Sequence, residues 1–110
     1  MPNRNYQAGR RFEWNRRDDL LSRGFSCVAR TAGSKSKIDL FAIGPGAVLF
    51  VQCKDNGKIT PLEREVLFTL AQHNPAVTHP VLATKEGYFL LTGVGPKDRV
   101  PVEPEDLMDE

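Results

Sequence analysis

Asp39, set between Ile38 and Leu40, and Lys54, closing the run Val51-Gln52-Cys53-Lys54, are the residues of this chain whose types and spacing could do chemistry. A turn, Gly44-Pro45-Gly46, separates the two apolar runs that carry them. Polar groups at the buried ends of strands are costly, so a pair placed this way implies a purpose. The chemistry it suits is hydrolysis of a phosphodiester. That reaction needs a divalent ion to polarise the phosphate, a positioned water, and a cation to stabilise developing charge or orient the nucleophile. Magnesium takes oxygen ligands and keeps several waters, so one firm carboxylate with weaker oxygens suffices. On this reading Asp39 binds Mg²⁺ directly, with Mn²⁺ able to substitute. The Gln52 amide oxygen and the Cys53 backbone carbonyl add neutral ligands, and Lys54 holds the attacking water or faces the phosphate.

For these groups to meet, residues 38–43 and 47–54 must form a hairpin about the glycine turn. Side chains alternate across a strand, so Asp39, Phe41 and Ile43 share one face, and Val48, Phe50, Gln52 and Lys54 share one face of the partner. Upstream, residues 7–23 have a helical pattern with Phe12, Leu20 and Leu21 as the apolar side; Gly24-Phe25 reads as a glycine stop followed by an apolar contact. At 100° per residue Glu13 lies on or beside the inward face. A short strand over 26–31 and a polar connector over 32–37 lead into the hairpin. After it, Thr60, Pro61 and Glu63 form a Thr-Pro-x-Glu helix start with a capping box. That helix spans 61–74, with Leu62, Val66, Leu70 and His73 on one face and Asn74-Pro75 at its end. Strands follow over 80–84 and 88–94. The order is helix, three strands, helix, two strands, a mixed α/β (α+β) sheet domain over 1–95 with an acidic tail over 96–110.

At 110 residues, 40% hydrophobic and 26% charged, the chain has the composition of one soluble globular domain. No apolar run is long enough to span a bilayer and no secretory leader opens the sequence, so no membrane role and a cytoplasmic location are expected, the host cytoplasm if a phage encodes it. Cys27, Cys53, His73 and His79 lack ligand spacing; two reduced thiols and two structural histidines are the better account. The net charge of +1 conceals an asymmetry: residues 1–37 hold nine basic against three acidic side chains, the remainder six against eleven. A basic third followed by an acidic remainder is a footprint for a polyanion.

Taken in order, Gly9-x-x-x-Glu13, Arg30-Thr31-Ala32-Gly33-Ser34, Ile38-Asp39-Leu40, Val51-Gln52-Cys53-Lys54, a helix and Pro80-Val81-Leu82-Ala83 resemble the PD-(D/E)XK nuclease superfamily, and within it the archaeal and phage-type Holliday junction resolvases. Each piece is weak alone; the ordered set is fairly specific. The resemblance implies a restriction-endonuclease-like core and catalytic positions at Glu13, Asp39, Gln52 and Lys54, with Ser34 as a loop hydroxyl near the phosphate. Glu13 joins Asp39, Gln52 and the Cys53 carbonyl as a metal position. Arg10 and Arg30 take positions that bind DNA backbone, and Arg11, Lys35 and Lys37 extend that edge by charge. The resemblance further implies a homodimer that places two active sites on opposite strands of a four-way junction. The departure is Gln52, where most members carry Glu: an amide keeps an oxygen ligand but removes a negative charge.

Each residue has a plainer reading. Asp39 can be a turn acid, Lys54 a solvated strand end, Glu13 a helix surface residue, and Trp14, which could stack on a base or sugar, a packing or dimer-contact group. Gly44-x-Gly46 and Gly93-x-Gly95 lack the third glycine and helix of a dinucleotide loop. The set favours a Mg²⁺-dependent endonuclease that resolves four-way junctions. The alternatives are a nuclease of the same superfamily acting on another branched or single-stranded DNA, and a catalytically silent DNA-binding module in which Gln52 marks a lost metal site.

Overall fold

The computed structural model describes residues 4–31 and 38–108, with side chains from residue 10 onward. Helix α1, Arg4–Ser22, is followed by strands β1 (Cys27–Arg30), β2 (Leu40–Gly44) and β3 (Ala47–Cys53). Helix α2, Pro61–Ala71, then leads to β4 (Thr78–Thr84), β5 (Gly87–Leu91) and β6 (Arg99–Val102), and a single 3₁₀ turn spans Pro104–Leu107. The six strands form one sheet in the order of the sequence. All neighbours are antiparallel except β3 and β4, which run parallel and are joined through α2. A parallel step needs such a crossover.

The sheet divides two cores. On one face Leu20 of α1 packs with Phe25, Val28, Leu40, Ala42, Leu49, Val51, Val81, Ala83 and Tyr88. On the other, Leu67 of α2 packs with Ile38, Leu82 and Leu91, and with the partly buried Phe41, Phe50, Ile59, Phe68 and Phe89. The alternation Leu49, Phe50, Val51 along β3 feeds both layers, as the period of two requires. The two helices therefore cover opposite faces of the sheet.

Local chemistry explains the boundaries. α1 ends in a Schellman motif: Phe25 N–H donates to the Leu20 carbonyl at 3.3 Å and Gly24 N–H to that of Leu21 at 3.2 Å, with Gly24 at φ +107°. Leu20 and Phe25, the residues such a motif brings into contact, lie in the same core. The β2–β3 hairpin closes on Gly44 and Ala47, leaving Pro45-Gly46 as a two-residue turn with Gly46 at φ +70°. α2 begins with the complete capping box: Thr60 accepts from Glu63 N–H at 3.2 Å, and Glu63 accepts from Thr60 N–H at 3.0 Å. Pairing of β4 with β5 begins at Val81, next to Pro80, which has no N–H to donate.

Four expectations change. The strand expected from residue 38 begins at Leu40, so Asp39 stands just ahead of β2 rather than within it. α2 stops at Ala71 instead of Asn74, and its buried side is Arg64, Leu67 and Ala71. Leu62 and Leu70, assigned to one face with Val66 and His73, are 59% and 38% exposed. The buried set repeats at three and four residues, as a helix stripe must, and Arg64 joins it because its Nε donates to the Val94 carbonyl at 2.7 Å. Where the sequence suggests a loose tail or a helix stub, the stub is the 3₁₀ turn, with Pro104 fully buried, and the chain adds β6 before it.

Candidate active site

The antiparallel ladder between β2 and β3 pairs Leu40 with Val51, and one step further would set Asp39 opposite Gln52. Asp39 departs from a regular strand there. Its N–H still donates to the Val51 carbonyl at 2.8 Å and its own carbonyl accepts from Thr31 N–H at 3.0 Å, but its carboxylate Oδ2 accepts the Cys53 N–H at 2.8 Å. A side chain thus fills the place of a ladder carbonyl, and the cost of a buried unpaired N–H is avoided. The Thr31 hydroxyl secures the same corner by donating to the Ile38 carbonyl at 2.6 Å. Asp39 is held from β1 on one side and β3 on the other.

Two further carboxylates approach from the helices. Glu13, on α1, accepts from Arg30 Nε at 2.9 Å. Glu63, on α2, accepts from Lys54 Nζ at 2.8 Å and from Gln52 Nε2 at 3.2 Å. Burial pushes the Asp39 carboxyl up to about 6, the Glu13 and Glu63 charges add to that rise, and the Cys53 N–H and Lys54 oppose it. Glu63 moves the other way. Its burial is outweighed by Lys54 and by Thr60, which hold it below the usual carboxylate range. Burial, followed by the Asp39 and Glu13 charges, raises the Cys53 thiol well above an ordinary cysteine. It is a poor thiolate nucleophile as a result.

Gln52 is 4% exposed, and its Oε1 is buried with no hydrogen-bond partner. A buried amide oxygen without a donor is destabilising unless a ligand or water meets it. The donor chemistry fits a hard divalent cation: one carboxylate whose charge is poorly solvated and, on the residue preceding the N–H that it accepts, one neutral oxygen lacking a partner. Among the described residues no three Asp, Glu, His or Cys side chains gather closely enough to hold a metal by themselves. A cation here would depend on the amide and on backbone oxygen as well as on Asp39.

Of the residues singled out in the sequence, Asp39, Gln52 and Lys54 come together at the end of β3, and Glu13 stands on the α1 side within electrostatic reach of Asp39. Ser34, Lys35 and Lys37 lie outside the described residues. Arg10 and Arg11 are exposed on α1. Arg30 binds Glu13, and its guanidinium sits 5.6 Å from the centre of the Trp14 ring, which Arg17 also meets at 5.1 Å. Trp14 is 42% exposed, so this group presents an aromatic face flanked by two ion-paired guanidiniums, Arg17 being held by Asp18 at 3.1 Å. Glu63 was legible in the sequence only as a capping residue; its position at N3 of the helix that follows Gln-x-Lys was the available signal.

The chain is similar in structure to a Holliday junction resolvase from the archaeal hyperthermophile Archaeoglobus fulgidus, with a TM-score of 0.54 and 24% sequence identity over 73% of this chain and 72% of that one. No protein-family model matches the sequence, and no curated protein does. The likeness establishes the fold, a mixed α+β architecture of the restriction-endonuclease type, as the ordered motifs implied. Among the described residues no helix is long and apolar enough to cross a membrane.

Proposed function

We propose that this chain is a metal-dependent endonuclease of branched DNA, acting as a homodimer on four-way junctions with Mg²⁺, or Mn²⁺ in its place. The observation that carries the reading is the Asp39 carboxylate fastened to the N–H of Cys53, the residue between Gln52, with its buried and partnerless oxygen, and Lys54. The fold shared with a Holliday junction resolvase supports the substrate class. Asp39 and Gln52 would hold the cation, with the Cys53 carbonyl and Glu13 as further oxygen donors. When bound, the ion supplies positive charge that polarises the scissile phosphate.

The remaining work falls to the chain itself. Lys54 orients the attacking water or neutralises charge building on the phosphate oxygens. Glu63 keeps that ammonium from swinging into solvent. Arg10, Arg11 and Arg30 give one side of the site a positive surface for the sugar-phosphate backbone, with Lys35 and Lys37 assigned to it from sequence and Ser34 as a catalytic-loop hydroxyl near the phosphate. Trp14 offers a face on which a splayed base can stack.

The test is cleavage of a labelled, immobile four-way junction in Mg²⁺ and in Mn²⁺, scored for paired symmetric nicks, with flap, nicked duplex and single-stranded DNA beside it. The junction is expected to be cut preferentially, and Lys54→Ala to slow the reaction by about 10²-fold or more. Junctions left intact in both metals, with Lys54→Ala behaving as the parent, would sink the proposal. Preference for flaps would preserve the chemistry and change the substrate. A second reading, a binding module without cleavage, is favoured by the neutral Gln52 and by the engagement of Lys54 with Glu63. It predicts junction binding that weakens steeply with salt and no nicks; appreciable cleavage by the unmodified protein excludes it.

A further inference from the structure

Glu63 does two things at once. Its Oε1 accepts the Thr60 N–H at 3.0 Å and so closes the capping box of α2. Its Oε2 accepts from both Lys54 Nζ, at 2.8 Å, and Gln52 Nε2, at 3.2 Å. An ionised carboxylate can only accept, whereas an amide has one donating end and one accepting end. Gln52 must therefore turn its NH₂ toward Glu63. The opposite end, Oε1, is left buried with no donor. Without Glu63 the two ends of the amide are nearly isosteric, and nothing described would prevent the NH₂ from occupying the place where a cation needs an oxygen.

We propose that Glu63 is a positioning residue of the site: it fixes the Gln52 amide with its oxygen free, steadies Lys54, and supplies from α2 the negative charge that position 52 lacks. In its chemical meaning this rests on the nuclease reading above. Positions 52 and 63 then act as one amide–carboxylate unit, in which the charge belongs to the pair rather than to a single residue. Anchoring Glu63 at the helix start gives the unit a rigid support, since the capping box fixes the other oxygen.

The unit can be tested by exchanging its members. Four proteins are compared: the parent, Gln52→Glu, Glu63→Gln, and the double variant. Mn²⁺ affinity is measured by calorimetry, and thermal stability is measured without metal at pH 8. Gln52→Glu sets two carboxylates against one another over a single ammonium and should lower the melting temperature. Glu63→Gln can retain the capping box, because Gln serves at that position, but frees the amide at 52. It should weaken Mn²⁺ binding ~10–100-fold, the range for losing a partner that orients a metal ligand. The double variant restores one carboxylate and one amide, and should recover most of the melting temperature that Gln52→Glu loses, a non-additivity that independent sites do not give. Parent-like Mn²⁺ affinity in Glu63→Gln overturns the proposal, as do additive losses in the double variant or a parent that binds no Mn²⁺. Junction cleavage is scored separately: coupled stability and Mn²⁺ binding in a protein that cuts no DNA would uphold the pair and remove the nuclease reading.

Discussion

In the metal-free protein Asp39 holds its proton to a higher pH than an ordinary aspartate, because its burial and the Glu13 and Glu63 charges penalise the ionised form. The folded-state value of about 6 lies above the ordinary aspartate value of 3.8, so between the two the folded chain binds the extra proton. The stability that this group contributes is full below the lower value and falls as pH rises toward the upper one. Asp39→Asn should therefore flatten the pH dependence of the melting temperature between about pH 4 and 7, and melt above the parent at pH 8. Mn²⁺ added at pH 8 should raise the parent's melting temperature and leave that of the Asp39→Asn variant nearly unmoved. A parent whose stability rises monotonically over the same window, with the Asp39→Asn substitution changing nothing, would contradict this assignment. The need for Asp39 was legible from an acid between apolar neighbours and a Gln-x-Lys on the next strand. Its bond to Cys53 N–H was not: no pattern of side-chain types records that a carboxylate will replace a ladder carbonyl.

At the scale of elements, two substitutions on α2 distinguish its buried side from its exposed one. Leu67 is fully buried, so Leu67→Ala should cost about 2–5 kcal/mol in urea unfolding. Leu62→Ala, at a site 59% exposed, should change stability by no more than about 0.5 kcal/mol. The apolar residues of this helix fit more than one stripe, and the sequence places Leu62, Val66 and Leu70 together as readily as Arg64, Leu67 and Ala71. Only the sheet beneath decides, and it turns an arginine inward because a loop carbonyl from Val94 awaits its guanidinium. The start of α2 and the stop of α1 were far easier to read. The Thr60 box and the Gly24 stop are local hydrogen-bond problems solved by adjacent residues. Gly44 carries a tertiary demand: a Cβ there would collide with Met108 Sδ and lie 3.0 Å from the Phe25 ring. Gly44→Ala should destabilise only modestly, because the flexible Met108 side chain can swing aside and the buried Phe25 ring alone must give way, read as a slightly lower urea midpoint with an unchanged slope.

Across the whole molecule, the segment after β6 is bound back to α1. Arg23 donates to Asp19 at 2.8 Å, to Glu103 at 2.5 Å and to Glu105 at 2.7 Å, and the Tyr88 hydroxyl donates to the same Asp19 carboxylate at 2.7 Å. Leu107 and Met108 pack against the core on the α1 side. Arg23→Ala should make the chain beyond Val102 an early target in limited proteolysis and lower the melting temperature at low salt, with a smaller difference in about 1 M salt. Equal cleavage rates in the two proteins would show that packing alone retains the segment. Five acids and two prolines in residues 101–110 concealed this fastening, since composition alone reads as solvated chain and the partner is eighty residues away.

Because every strand of the sheet lies beside its neighbour in sequence, nearly all of the fold can be assembled by closing short local loops. The exception is the parallel joint of β3 with β4, which cannot form until α2 has crossed the sheet. Gln52, Lys54 and Glu63 sit at or beside that joint, so the contacts among them belong to the part of the molecule with the largest closure entropy. Refolding from urea should consequently recover the native far-ultraviolet signal before it recovers Mn²⁺ binding. The interval between the two would measure how long the chain exists as a sheet before Gln52, Lys54 and Glu63 meet.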